Sequence, residues 1–322
     1  MERRSRMAVP FLVAVLVSPL LVAAQTYPAK PVRVVVVTPP GLAPDLVGRT
    51  VFDKVGDLLG HPFPVENRFG KVGTVGAALV AKSPPDGHTI MVASATLLST
   101  SHIHTDLPYD PLRDFIGVTP LAETVMMLAV HPSLPAKSVA ELIALAKKQP
   151  GQLAYSSAGN GGATHLTVAL LSSMTGVDAE RVLYRGSRSA MNALIAGETQ
   201  FIISGIATLG PQIEAGTLRP LGVTSAKRVT SLPDVPAIAE TVPGYEFTSW
   251  IAAFVPAGTS AGVVDKLNLE LKRALEDRGV ASTLAARNLY PMHMTPGQFA
   301  QRLKADHEKY GRLIRLTGMK PE

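Results

Sequence analysis

Apolar residues recur along this chain with two different periods, and the periods take turns. Val32–Val37 is an unbroken β-branched run, the pattern of a strand buried on both faces. Pro44–Gly60 places Leu46, Val47, Val51, Val55, Leu58 and Leu59 on one helical face, with Gly60 as the stop. The alternation continues with a short strand at 63–67, a helix at 73–83 and a strand at His88–Ser94. Met126–His131, Ala154–Ser157, Arg181–Tyr184 and Phe201–Ser204 then read as strands. Ser138–Gln149, Leu166–Thr175 and Ser187–Ala196 read as helices between them. Such alternation with short links predicts an α/β fold with mostly parallel sheets. Near the C-terminus, Val263–Leu284 and Pro296–Leu316 are long and amphipathic, as surface helices over a sheet would be. Pro108–Asp114 and Ser231–Pro236 are rich in Pro and Asp and read as loops. One parallel sheet rarely carries this many units, so two lobes are expected.

The link SAGNGGATH, Ser157–His165, joins a strand to a helix through small residues. A helix N-terminus has unpaired N–H groups and a partial positive charge, and glycine lets an anion approach them. Ser157, Asn160 and Thr164 could add side-chain donors. From the residues alone the stretch fits equally a plain turn capped by Asn or Thr. If it binds an anion, Gly161→Pro would remove an N–H, leave the lobe folded and weaken binding about tenfold.

Composition narrows the function class. The chain has 322 residues, 46% hydrophobic and 17% charged, enough for a sizeable core. Residues 1–24 hold Arg3, Arg4 and Arg6, an apolar run and small residues at Ala23 and Ala24, the order of a secretory signal peptide. The run is short for a spanning helix and Pro19 interrupts it. The net charge is +6, of which three arginines and Glu2 in the signal supply +2, leaving about +4 for the rest. With no basic block after the signal and only 5% aromatics, the chain carries no nucleic-acid footprint. The absence of cysteine excludes disulfides, thiolate metal sites and Cys nucleophiles.

Eight stretches in order carry a family resemblance: YPAKPVRVVVVTPPG, VENRFGKVGTVGAALVAKSPPDGHTI, LPYDPLRDF, PAKSVAELIALAKKQPGQLAYSSAGNGGATHL, YRGSRSAMNALIAGE, VTSAKRVTSLPDVPAIAE, SWIAAFVPAGT and MTPGQFA. Together, from Tyr27 to about Lys320, they resemble the Bug family, the TctC-like extracytoplasmic solute receptors of tripartite tricarboxylate transporters. The resemblance implies a two-lobed α/β periplasmic-binding-protein fold of type II kind, joined by two crossing strands, with the ligand cleft between lobes. By analogy residues 25–125 and 249–322 form the first lobe, and 126–248 the inserted second. It also implies a periplasmic, monomeric, non-enzymatic receptor without cofactor or metal. Its ligand would be a small organic carboxylate, passed on to a two-component membrane permease. A ligand sensor serving a membrane histidine kinase is the alternative role. A hydrolase using Ser157 or His165 is the enzymatic alternative, and turnover of a bound carboxylate would reveal it.

Against the family pattern, the site candidates take individual shapes. TPPGLAPD, Thr38–Asp45, offers Thr38, Gly41, Leu42 and Asp45, but the family turn is usually richer in glycine, of the form PFPPGGGTD. Leu42 and Ala43 stand where the family has glycines, and Pro44 has no N–H to give. Ser94, Ala95 and Thr96 match a polar family loop facing the cleft, or cap the next turn. Tyr184 or Ser187 in YRGSRSA could line the cleft, while Arg185 reads as a structural charge. Ser204 stands where many relatives carry an aspartate suited to an ammonium group. These departures predict a monocarboxylate with an apolar or aromatic body over citrate, aspartate or glutamate. GKVGTVG, Gly70–Gly76, lacks nucleotide-binding spacing. His102 and His104 lack a third metal ligand nearby in sequence. Trp250 reads as packing at the crossover.

Overall fold

The computed structural model describes residues 27–70 and 73–319. The signal peptide expected at 1–24 lies outside them. Strand β1 (Arg33–Val36) explains its own composition: Val32, Val34 and Val36 enter one core cluster, while Val35 and Val37 enter another on the opposite face. The first face packs against helix α1 (Ala43–Leu59), α8 (Ala261–Glu276) and α9 (Arg278–Ala285). The second lies under α2 (Thr74–Ala81), α3 (Thr96–Thr100) and α10 (Pro296–Leu316). A strand covered by helices on both sides needs apolar residues at every position.

β1 is flanked in parallel by β2 (Val65–Asn67) and β3 (Thr89–Ser94). β3 pairs antiparallel with β9 (Thr248–Pro256), and β9 with β4 (Phe115–Val130). β4 is 16 residues long and belongs to two sheets. Its first half pairs with β9 and with β10 (Leu289–Pro291). Its second half pairs with β7 (Phe201–Gly205) and β8 (Arg219–Val223), and β7 continues to β5 (Ala154–Ser157) and β6 (Glu180–Leu183). Helices α4 (Val139–Lys148), α5 (Ala163–Thr175), α6 (Ser187–Ile195) and α7 (Ile206–Glu214) accompany this second sheet.

Several predicted boundaries shift, each for a visible reason. The strand expected from Met126 starts at Phe115, because its first half carries Gly117, Pro120 and Glu123 and two register shifts against β9. The helix expected over Val263–Leu284 breaks at Asp277, which takes extended geometry and accepts N–H bonds from Gly279 and Val280 as a new N-cap. α5 opens at Ala163 rather than Leu166. α7, with Pro211 inside it, and β8 were not expected.

α10 ties the two sheets together. Buried Trp250 donates from Nε1 to Asp306 Oδ2 at 2.9 Å, and Arg302 Nε donates to the same oxygen at 2.8 Å. Trp250 is thus packing at the crossover. Lys309 reaches the Glu246 carbonyl at 2.9 Å and lies over the Phe247 ring.

Candidate functional site

Register alone brings the important ends together. Ser94, at the carboxyl end of β3, pairs with Ile251, and Ile251 pairs with Ala122. Gly205, at the carboxyl end of β7, pairs with Met126 on the same strand β4. β3 runs with β4 and β7 runs against it, so the two parallel sets point their carboxyl ends at each other across Ala122–Met126. The heads of α1 and α3 therefore face the heads of α5, α6 and α7. Ligands of open α/β folds bind outside such carboxyl ends.

The first wall is a pocket of about 500 Å³ lined by Val37, Thr38, Pro39, Leu42, Phe69, Gly70, Gly73, Ser94, Thr96, Leu97 and Tyr109. Four predicted residues, Thr38, Leu42, Ser94 and Thr96, meet here. Ser94 Oγ donates to Thr96 Oγ1 at 3.1 Å, and Thr38 Oγ1 is buried without a partner among the described residues. Neither hydroxyl caps α3, whose N-cap is Ala95. The Ala95 N–H is itself spent on the Trp250 carbonyl at 3.1 Å. Phe69 and Tyr109 were not foreseen. An aromatic inside the glycine-rich stretch after β2 was the available signal for Phe69.

Asp45 lies beneath this wall as a brace, not on its surface. Its carboxylate accepts from Gly41 N–H at 2.8 Å, Asn67 Nδ2 at 2.9 Å and Arg49 Nε at 3.0 Å. Burial, the largest single influence, pushes its pKa up, but these donors together hold it below the ordinary value. The expected ligand-facing role of Gly41 is corrected accordingly: its N–H belongs to Asp45, and its φ of 80° serves the turn.

The second wall is the Ser157–Thr164 loop. The N-cap of α5 is Gly162, with no side-chain cap, so the Asn- or Thr-capped turn is not what forms. Thr164 Oγ1 instead accepts from Ala158 N–H at 2.9 Å, and buried Ser157 donates to the Gly159 carbonyl at 3.3 Å. From β6, Arg181 Nη2 donates to the Gly159 carbonyl at 3.1 Å and to Asn160 Oδ1 at 2.8 Å. Gly161 N–H donates to His165 Nδ1 at 3.3 Å. Burial first, then the charge of Arg181, lowers the His165 pKa to about 4, so the imidazole is neutral and can accept.

These braces correct the expectation for Gly161. Its N–H is already used, its φ is 59°, and a Cβ would land on the side chain of Ile103, which follows α3. Proline, which needs φ near −65°, would distort the loop rather than only subtract a donor. What the braces leave open are the N–H groups of Gly159, Asn160, Gly162, Ala163 and Thr164, which meet no acceptor among the described residues. Ser157 and His165 each have partners other than one another.

The remaining candidates sit at the margins. Tyr184 sends its hydroxyl to Glu198 Oε2 at 3.0 Å, away from any ligand role for that group. Ser187 is the first residue of α6, after Gly186, and that helix too has no side-chain cap. Ser204 is buried on β7 opposite Met127. His102 is not beside a metal cluster: its Nε2 meets the His307 carbonyl at 2.9 Å, and no group of three or more metal-ligating residues occurs among the described residues.

Two α/β lobes, crossing strands and a cleft between facing helix heads define a two-lobed solute-binding protein. The match to known families agrees: residues 47–319 match TctC, the tripartite tricarboxylate transporter family receptor. The chain belongs to that family. It is 32% identical to protein BugT of Bordetella pertussis, over 93% of each chain. It superposes on R. palustris Rpa4515 with adipate at a TM-score of 0.80 and 32% identity, covering 92% of this chain and all of that one (100%). MatC of Rhodopseudomonas palustris, with bound malate, follows at 0.74 and 28%, covering 89% of this chain and 100% of that one. The family is one of solute-binding receptors, and carboxylates occupy these two relatives. No described helix is long and apolar enough to cross a membrane.

Proposed function

We propose that this protein is a periplasmic receptor that captures a small organic carboxylate between its lobes and delivers it to a two-component membrane permease. The observation that carries the reading is the head of α5. There the N–H groups of Gly159, Asn160, Gly162, Ala163 and Thr164 meet no acceptor among the described residues, and the helix opens without a side-chain cap. A carboxylate held by two or three such bonds gains about 1.5–3 kcal/mol from each. A micromolar ligand needs about 8 kcal/mol in all, which these bonds and the apolar first wall can supply.

The lobes in this reading are 25–125 with 249–322, and 126–248, hinged where β4 and β9 cross. Ligand bound to both walls stabilises the closed form by its differential affinity for it. Adipate and malate in the two relatives support the carboxylate class. Export by residues 1–24 and a monomeric state complete the proposal. N-terminal sequencing of the periplasmic fraction should begin near Gln25. A thermal-shift screen of organic acids is the direct test, since ligand at 100 times its Kd adds about 2.7 kcal/mol. A chain that no carboxylate stabilises is not this receptor.

A further inference from the structure

The pocket in the first lobe has a feature that capture of a carboxylate does not require. Two large apolar side chains stand open at it: Leu42 is 51% exposed and Phe69 is 56% exposed. They come from different segments, the head of α1 and the link after β2, and line one concavity. Single exposed apolar residues are ordinary, but two at one concave site mark a surface meant to be covered by a ligand. Behind them Tyr109 is buried, its hydroxyl bonded to Thr74, so the wall receives its ring.

Charge is missing from the described part of the same wall. Among the described residues no Lys, Arg or His lines it. Arg49 on α1 is engaged by Asp45 and Asn67. Pro39, Pro40 and Pro44 have no N–H, and Gly41 has spent its own. The polar groups left at this wall are uncharged: Thr38 with Oγ1 unpartnered, the Ser94–Thr96 pair, and the N–H groups of Thr38, Leu42 and Ala43, which meet no acceptor among the described residues. A second carboxylate pushed here would lose water and meet no cationic side chain among the described residues, whereas a flat apolar body would lie against two rings and Leu42.

We infer that Phe69, with Leu42, is the specificity-determining residue of this receptor, selecting carboxylates with a flat apolar body and an uncharged far end. The inference rests on the reading that the carboxylate itself sits on residues 159–164. Calorimetry with benzoate, adipate and malate tests it on the wild-type chain, Phe69→Ala and Phe69→Tyr. Wild-type protein should bind benzoate about tenfold or more tighter than adipate or malate. Phe69→Ala should weaken benzoate about tenfold and adipate less than about threefold, while Phe69→Tyr keeps the wild-type order. Phe69 is largely exposed, so folding should survive and a melting curve checks it. Adipate or malate binding as tightly as benzoate, or an equal loss for every acid in Phe69→Ala, overturns the selection but leaves the carboxylate receptor standing. Absence of binding by all three acids overturns both.

Discussion

The loops at the heads of α1 and α5 hold equivalent places, each following a buried strand and opening a helix without a side-chain cap. They nevertheless present opposite surfaces. In residues 38–45 three prolines and the Asp45 brace leave only the N–H groups of Thr38, Leu42 and Ala43 without acceptors among the described residues. In residues 157–164 the open donors are those of Gly159, Asn160, Gly162, Ala163 and Thr164. Both helices carry the same kind of dipole, so the dipole is not what distinguishes the walls. Proline content and internal bracing decide how many donors survive, and hence which end of a ligand each wall can serve.

The largest effect should come from disturbing the braced loop. Gly161→Ala places a side chain at positive φ and against Ile103, about 1–2 kcal/mol for the first and about 1–3 kcal/mol for the second. The melting temperature should fall, and Ile103→Ala should restore part of it. A second test uses pH. His165 is held neutral with a pKa near 4 against an ordinary 6.5, so the unfolded chain takes up a proton that the folded chain refuses. The His165 contribution to stability should be full above pH 6.5, decline as pH falls to 4 and level off below. Melting curves across that range should show the slope in wild-type protein, and His165→Asn should reduce it, the remainder coming from His102, His293 and His307, whose pKa values burial also lowers.

Arg181→Met separates the walls at moderate amplitude. It frees Gly159 and Asn160 in the donor-rich loop and should weaken any bound carboxylate about tenfold. It should also raise the His165 pKa, readable by NMR, because the Arg181 charge is one cause of its depression. Arg49→Met, which disturbs the donor-poor loop, should change affinity less than about threefold; equal losses would erase the contrast between the two loops. The smallest effect is expected from Pro40→Gly combined with Leu42→Gly. Adding a donor and removing bulk should improve citrate binding by about threefold, as calorimetry can measure.

Much of this was legible in the residues. The Val32–Val37 run announced a strand covered on both faces, and the two core clusters divide its valines between them. Leu42 was read as an apolar element at the cleft, and it lines the pocket. Asp45 was read as a ligand-binding candidate and not as a brace, because its partner Asn67 comes from β2. β4 was only half read: pattern methods lose a strand where Pro120 and two register shifts interrupt the alternation. Arg181 looked like an ordinary strand residue, and nothing local marked it as the support of a loop on another element.

The sequence by itself determined where N–H groups can exist at all. Proline deleted three of them from residues 38–45, and glycine kept those of 157–164 approachable. It also determined the alternation of strands and helices, since burial on one or two faces writes itself into the spacing of apolar residues. Only the tertiary structure decided which of those N–H groups remain open. The acceptors that consume them, His165 Nδ1 for Gly161 and the Asp45 carboxylate for Gly41, act through side-chain geometry that spacing does not encode. Only the fold, likewise, set Phe69 beside Leu42. Hydrogen-bond satisfaction and pocket lining depend on which neighbours the packed chain brings within a few ångströms, and distant segments supply those neighbours.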